Sequence, residues 1–492
     1  MKQLNSLKKV DDKMVKRQLL YVLARLNIFY DTKILDEKVI LSNNHIKDIY
    51  TQLINIYELN SDKTKTKSVN DGFDYQTVLN SNIPELITII ASVGCIEFWN
   101  PSKVLEILQE HIFGEISIKK TGALLALALS SSKIYDENST ILSLLTNNLQ
   151  SNDPLHVIPT LMGIQTIYCN ANDEDLKKLL IPLLYSENQE ISFFAAFTLG
   201  SLFVGSADDE LISIFLQMYI EKEEYVDSHF FKMLMLGIAL LFYRRPDVEC
   251  CLETMETNYA KHGAILVKGF QFLKTGDPQV VEHLLSEAFC GETDALLESI
   301  ALLSCSLIGI GDELATQMIS RICASSLILE STHLKSVLPL CYALMYPSSP
   351  QSTIIDFLER NINCGDINVS ISSMFALGVI GAGTVSGRLQ KIIDSQYTHF
   401  YKDFKAITML RISNGLLSLG KGLTSISYNL YDKSCIVPKN FIGLFATTFL
   451  MFDTFSSPLF KGHTYLFYLL NQSFVPKYMY TEKRYMLELV YL

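Results

Sequence analysis

Cysteine pairs, metal-ligand spacings and bilayer-length apolar runs are all missing from this 492-residue sequence, and each absence removes a class of function. The ten cysteines are scattered, only Cys250 and Cys251 are adjacent, and no CxxC or His/Cys ligand spacing occurs. Buried, reduced thiols that pack as small apolar side chains are therefore expected, with no disulfide framework and no metal. The nine histidines, among them His156, His229, His262 and His283, stand apart, without triad spacing or a sequence-local partner that would mark a nucleophile. Charge is also scarce, at 19% of residues against 49% apolar, with a mean hydropathy of +0.22. Such a chain raises the question of a membrane. Its longest nearly uncharged runs, Met233 to Tyr243 and Phe441 to Phe452, fall short of the roughly 18 to 20 residues a helical span needs. The opening residues are charged throughout and lack an apolar h-region, so an intracellular location is expected. Basic residues are in deficit, 41 Lys and Arg against 52 Asp and Glu, for a net charge of -11. That argues against nucleic acid, which calls for a basic face, and favours partners that carry basic patches.

What the sequence does contain is a repeat. From about residue 83, a small residue recurs after an apolar run and before a turn, and ten such anchors align. They are Gly94, Ala128, Gln165, Gly200, Gly237, Gly269, Ser304, Ala343, Gly378 and Gly415, spaced 32 to 39 residues apart, and nine of the ten are small. After each anchor comes a Gly, Pro, Asn or Ser turn, an acidic or hydroxyl N-cap and a second amphipathic run, as in SADDELISIFLQMYIEK and TGDPQVVEHLLSEAF. Each unit reads as a helical hairpin: a greasy first helix whose small residues admit a neighbouring backbone, then a more polar outer helix. One unit cannot bury its own apolar face, so stability must come from stacking. The expected fold is all-α, an α-solenoid of about ten to eleven hairpins of about 35 residues, curved or closed. Ahead of it, Lys13 to Tyr30 carries Leu19, Leu20, Leu23 and Leu26 on one stripe and predicts an amphipathic helix, and Asn60 to Asp71 reads as a polar linker. The division expected is 1–80 as an N-terminal helical segment, 81–440 as the repeat body and 441–492 as C-terminal helices with a tail that turns extended near Val475 and Pro476.

Two glycine clusters invite a phosphate-binding reading, and both fail on context. Gly381, Gly383 and Gly387 are spaced one residue too long for GxGxxG, and the run before them sits in the frame of nine other helices. Gly415 to Lys421 matches GxxxxGK, but Gly422 stands where Mg²⁺ would require a hydroxyl. No cofactor and no catalysis are expected. The acidic start Asp208, Asp209 and Glu210 resembles a metal cluster only superficially, because acidic helix starts are common. More informative is its continuation, in which Leu211, Phe215 and Met218 mark an inner face while Glu210, Ser213, Gln217 and Glu221 form an outer polar stripe.

The strings FALGVIGAGTVSGRL, ISNGLLSLGKG and GSLFVGSADDE, together with VLPLCYAL before SSPQ and VKRQLLYVLARLNIFY near the start, resemble the proteasome/cyclosome-repeat family. Within it they are most similar to the non-ATPase scaffold and ubiquitin-receptor subunits of the base of the proteasome regulatory particle. The resemblance implies a toroid of hairpins around two central helices and a non-catalytic scaffold in the cytoplasm and nucleus. It implies contacts with the ATPase ring, with ubiquitin chains or ubiquitin-like domains, and with a deubiquitinase. Aligned on Phe203-Val204-Gly205, the family's acidic ubiquitin-binding positions fall on the helix of Asp209, Glu210, Gln217 and Glu221, where Gln217 replaces a carboxylate. Pro101 and Ser102 also stand where relatives are more acidic, and a shortened member with little β domain is expected. A free α-solenoid adaptor and, less favoured, a nucleotide-dependent enzyme are the alternatives.

Overall fold

The computed structural model describes residues 85–491 apart from 99, 115–116, 133–139, 150, 152, 223–224, 226–227, 251, 253–257, 290–294, 327–331, 430–434, 453, 455–456 and 484–485. The chain divides into two units, Met1–Ser81 and Asn82–Leu492, and the account below concerns the second. The helix expected over 13–30 and the linker expected over 60–71 lie outside the described residues.

Helices alternate between a greasy and a polar type. In chain order they are α1 (Glu85–Ile96), α2 (Pro101–Ile112), α3 (Ile118–Ser130), α4 (Thr140–Asn148), α5 (Pro154–Tyr168), α6 (Glu174–Leu184), α7 (Gln189–Leu202), α8 (Asp209–Glu221) and α9 (Phe231–Leu241). They continue with α10 (Asn258–Gln271), α11 (Pro278–Phe289), α12 (Ala295–Ile308), α13 (Glu313–Ser326), α14 (Thr332–Met345), α15 (Ser352–Ile362), α16 (Ile367–Ile380), α17 (Gly387–His399) and α18 (Phe404–Leu417). The inner layer is α1, α3, α5, α7, α9, α10, α12, α14, α16 and α18, each packed on the next. All ten sequence anchors lie on these helices. The fold is an all-α helical-repeat solenoid, as the periodicity predicts.

Burial separates the two layers. In α7 every residue from Ile191 to Leu202 is buried, and in α16 every residue from Val369 to Ile380. Outer α15 buries only Ile354, Ile355, Leu358 and Ile362, one stripe facing inward. The small anchors are the reason the inner layer can be this dense. A Cβ on Gly378 would lie 2.8 Å from the Ser413 Cα of α18, and the Ser413 hydroxyl donates across the same contact to the Met374 carbonyl at 2.7 Å. Between α9 and α10 the described residues contain no outer α-helix, a departure from the regular hairpin that the spacing of 32 had not revealed.

A recurring hydrogen-bond pattern ties unit to unit. The turn after one inner helix donates its N–H groups to the last carbonyls of the next: Asn170 and Asn172 to Ser201 and Leu202, Gly205 and Ala207 to Leu240 and Leu241. Lys274 and Gly276 do the same for Leu307 and Ile308, and Gly383 and Val385 for Leu416 and Leu417. All eight donors have positive φ, the conformation that turns two amides toward a neighbour. Helix C-termini leave such carbonyls unsatisfied, so each turn completes the helix that follows it in the stack.

After α18 the path changes. Gly420 and Lys421 turn the chain into strand β1 (Thr424–Ile426), and α19 (Pro438–Leu450) then runs against α9 and α14. Phe441, Phe445 and Phe449 stack along α19 with ring centroids 5.8 and 5.6 Å apart, and Phe270 of α10 meets the first two edge-on. Lys439, at the start of α19, donates to the Ser132 and Ile167 carbonyls, and burial pulls its pKa down to about 8. A 3₁₀ segment, Thr464–Ser473, follows. It reaches α1 through the Tyr468 hydroxyl, which donates to the Thr88 carbonyl at 2.9 Å. Strand β2 (Phe474–Pro476) pairs antiparallel with β1, while Phe474 packs edge-on against Phe98 beside α1. The terminal segment thereby touches both the first inner helix and the strand beyond the last. Strands β3 (Tyr478–Lys483) and β4 (Met486–Tyr491) form a hairpin.

Gln165, the one anchor that is not small, has its explanation here. Its amide exchanges two hydrogen bonds with Gln472 of the 3₁₀ segment, at 2.5 and 3.3 Å, and neither side chain has any exposed surface.

Candidate functional site

The outer stripe of α8 begins at its N-cap. Asp208 accepts from the Glu210 amide at 3.0 Å, which starts the helix, and the apolar side chains Leu211, Phe215, Met218 and Tyr219 then fix which face turns inward. Asp209, Glu210, Ser213, Gln217 and Glu221 are left exposed. Four of these occupy positions 210, 213, 217 and 221, so they form one row on the helix surface.

The row is less acidic than its sequence. Lys177 of α6, one repeat upstream, is buried and sends its ammonium to Asp208 at 2.5 Å and to Glu210 at 2.8 Å. Burial works against the charge on Lys177, but the hydrogen bonds to Asp208 and Glu210 outweigh it and raise its pKa. Burial likewise opposes the Asp208 carboxylate, and the Lys177 bond together with the Glu210 amide holds its pKa below the ordinary value. At the far end Gln217 donates to Glu221 at 2.7 Å. The amide at position 217 therefore orients a carboxylate where a carboxyl group would repel it. Glu221, with the Lys222 charge nearby, is thus held in place at the end of the row, and Asp209 lies exposed beside the row at the start of the helix.

Beside the row lies a shallow cleft of about 190 Å³ between the end of α6 and α8, lined by Tyr185, Ile214, Gln217, Glu221 and Lys222 among others. Tyr185 is 67% exposed, and Ile220 and Leu179 are also open to solvent. Lys222 donates to the Ser192 hydroxyl at 2.7 Å and lies 5.2 Å from the centre of the Phe193 ring; burial lowers its pKa. The cleft thus joins an exposed aromatic ring and apolar Ile214 to one carboxylate, Glu221. Sequence reading found the row and missed Lys177, Tyr185 and Ile220. A lysine one repeat before an acidic N-cap is the signal that could have exposed the pairing.

The other sequence candidates lie elsewhere. Gly415 is inside helix α18, and Gly381 caps α16, so neither glycine cluster follows a strand. Among the described residues no group of three or more His, Cys, Asp or Glu could hold a metal ion, and no helix is long and apolar enough to cross a membrane. The described cysteines are free thiols. Cys250, Cys305, Cys323 and Cys341 are buried, whereas Cys364 and Cys435 are exposed, contrary to the expectation of uniform burial.

No protein-family model matches the chain. It is similar to the 26S proteasome regulatory subunit RPN1 of Encephalitozoon cuniculi, with 45% identity over 96% of this chain and 64% of the relative. It is also similar to the 26S proteasome regulatory subunit rpn-1 of Neurospora crassa, at 26% identity over 80% of this chain and 46% of that one. The 26S proteasome non-ATPase regulatory subunit 2 of Dictyostelium discoideum is 28% identical over 80% of this chain and 45% of its own length. The chain thus spans between about half and two thirds of the length of these relatives.

Proposed function

This chain belongs with the RPN1-type regulatory subunits of the 26S proteasome, and we propose that it serves as a non-catalytic scaffold in the regulatory particle, present where proteasomes work in cytoplasm and nucleus. In this reading the repeat body, 81–440, contacts the ATPase ring and neighbouring subunits. The α8 row with its cleft docks ubiquitin chains or the ubiquitin-like domain of a shuttle factor or deubiquitinase. The observation that supports docking is the cleft that sets exposed Tyr185 and half-buried Ile214 beside the Glu221 carboxylate. Ubiquitin offers an apolar patch ringed by basic groups, so the apolar centre would supply contact area and the carboxylates would steer encounter.

Two measurements separate the scaffold from the receptor. Native purification of the tagged chain should recover proteasomal ATPases; sedimentation of the chain alone, with proteasomes assembling without it, would make it a free solenoid adaptor instead. Reversing charge at Asp209 and Glu221 should weaken ubiquitin-chain binding about tenfold without changing the melting temperature. Unaltered binding would place the receptor surface elsewhere while leaving the scaffold reading intact.

A further inference from the structure

Among the described residues, the last inner helix, α18, is covered on one side only. Its buried residues Ala406, Met409, Leu410, Ser413, Leu416 and Leu417 all face α16 and α17. Opposite them Phe404, Thr408, Arg411 and Gly415 fall on one stripe by their spacing of four, three and four, flanked by half-buried Ile407 and Ile412. Phe404 is 72% exposed and neighbouring Tyr401 is 64% exposed. Gly415 is decisive. Gly378, its counterpart one repeat earlier, would drive a Cβ into Ser413 of the next helix, and Gly269 would meet Ser304 of its own neighbour at 2.7 Å. A Cβ on Gly415 would meet nothing within 4 Å. The glycine anchors at 94, 200, 237, 269 and 378 each meet a neighbouring inner helix; Gly415 meets no described one.

The charge of this face differs from that of the chain. The stripe carries Arg411 and no acid; Lys402 stands beside it with its ammonium 5.4 Å from the centre of the Tyr401 ring, and of the nearby described carboxylates Asp403 caps α18 through the Lys405 amide at 3.1 Å while Asp394 of α17 accepts from Gln390 at 3.3 Å. A cationic, aromatic and glycine-notched face on a protein of net charge -11 selects a particular occupant.

We propose that the far face of α18 is a docking surface for a helix of a partner protein, one that carries carboxylates and a small residue opposite Gly415, laid in the register of a further inner helix. Nine successive helix pairs of this array already show that geometry, with small residues setting the close approach. Arg411 and Lys402 supply the selectivity for an acidic helix, and Phe404 and Tyr401 supply the anchor area. A second copy of this chain fits poorly, because two such faces would oppose arginine to arginine.

The test is site-specific photocrosslinking in the full chain within its native assembly, with p-benzoylphenylalanine in place of Phe404 and the crosslinked peptide identified by mass spectrometry. A crosslink to a helical, carboxylate-bearing segment of another protein is expected. Arg411→Glu should lower its yield at least tenfold, Gly415→Ala should lower it because a Cβ there enters the space the docked backbone takes, and Gly415→Trp should abolish it; a melting temperature no lower than that of the unaltered chain shows that the fold is kept. The proposal is overturned by a crosslink to this chain itself, to RNA, or to a loop or basic segment. No crosslink, or a yield indifferent to Arg411→Glu, overturns it as well.

Discussion

Helices α16 and α18 occupy the same frame of the repeat, each with a glycine anchor, and they differ in how many sides are covered. In α16 every residue from Val369 to Ile380 is buried, between α14 and α18; in α18 one side packs and the other carries Phe404 and Arg411. The repeat signature therefore reports a capacity for close approach, and whether a neighbour takes it up is decided by position in the array. A glycine in α16 is required by Ser413. The glycine in α18 is required by none of the described residues.

The largest effect expected follows from the covered side. Gly378→Val places two methyl groups where the Ser413 Cα already stands 2.8 Å from the Cβ position, and should cost about 3 kcal/mol, read as a fall in the urea midpoint. If Gly378→Val and Gly415→Val proved equally harmful, the contrast between the two helices would be false.

The inner layer has a third cover, the terminal segment, and the Gln165–Gln472 pair probes it. Gln472→Leu leaves a fully buried amide without its partner and should destabilise by about 2 kcal/mol. Adding Gln165→Leu should restore much of that loss, because both polar groups are then gone. Equal stability of the single and double variants would mean the amide pair does not couple the 3₁₀ segment to α5.

Lys439 gives a smaller effect that depends on pH. Its folded pKa, about 8, lies below its unfolded value, so between pH 8 and about 10 the unfolded chain holds more protons and folded stability gains as pH rises. Below pH 8 both states are charged and the penalty is constant. Lys439→Met should remove about 2 kcal/mol of that rise, seen as the difference between the two proteins' urea midpoints at pH 8 and pH 10. Parallel midpoints across that range would show that the ammonium is solvated.

The smallest effect is a gain. With no atom near its Cβ position, Gly415→Ala should stabilise the free chain by about 0.5 to 1 kcal/mol through helix propensity alone. A loss would reveal that the face is already occupied.

The inner layer was legible in the sequence because close helix contacts demand small residues at a fixed period, which makes position itself the signal. Its exception was equally visible: Gln165 broke the pattern, but the reason lay at Gln472, 307 residues away, where no local pattern reaches. The row on α8 was legible for the same reason as the anchors, since its spacing is helical. Its charge was not, because Lys177 belongs to the preceding repeat and becomes a partner only once outer helices lie side by side. Nor could periodicity show that α19 packs against α9 and α14, since its greasy run reads like another member of the row.

The hydrogen bonds from each turn to the following helix also give the array a direction in time. In every such pair the donors come earlier in the chain than the carbonyls they complete, as Gly205 precedes Leu240 and Gly383 precedes Leu416. On the ribosome a newly made inner helix thus always emerges after the amides that will cap it. Residues 472–476, which join β2 to β1 and Gln472 to Gln165, are made after all the helices and the strand they contact. Synthesis and stacking run in the same order, and the clasp arrives when there is something to hold.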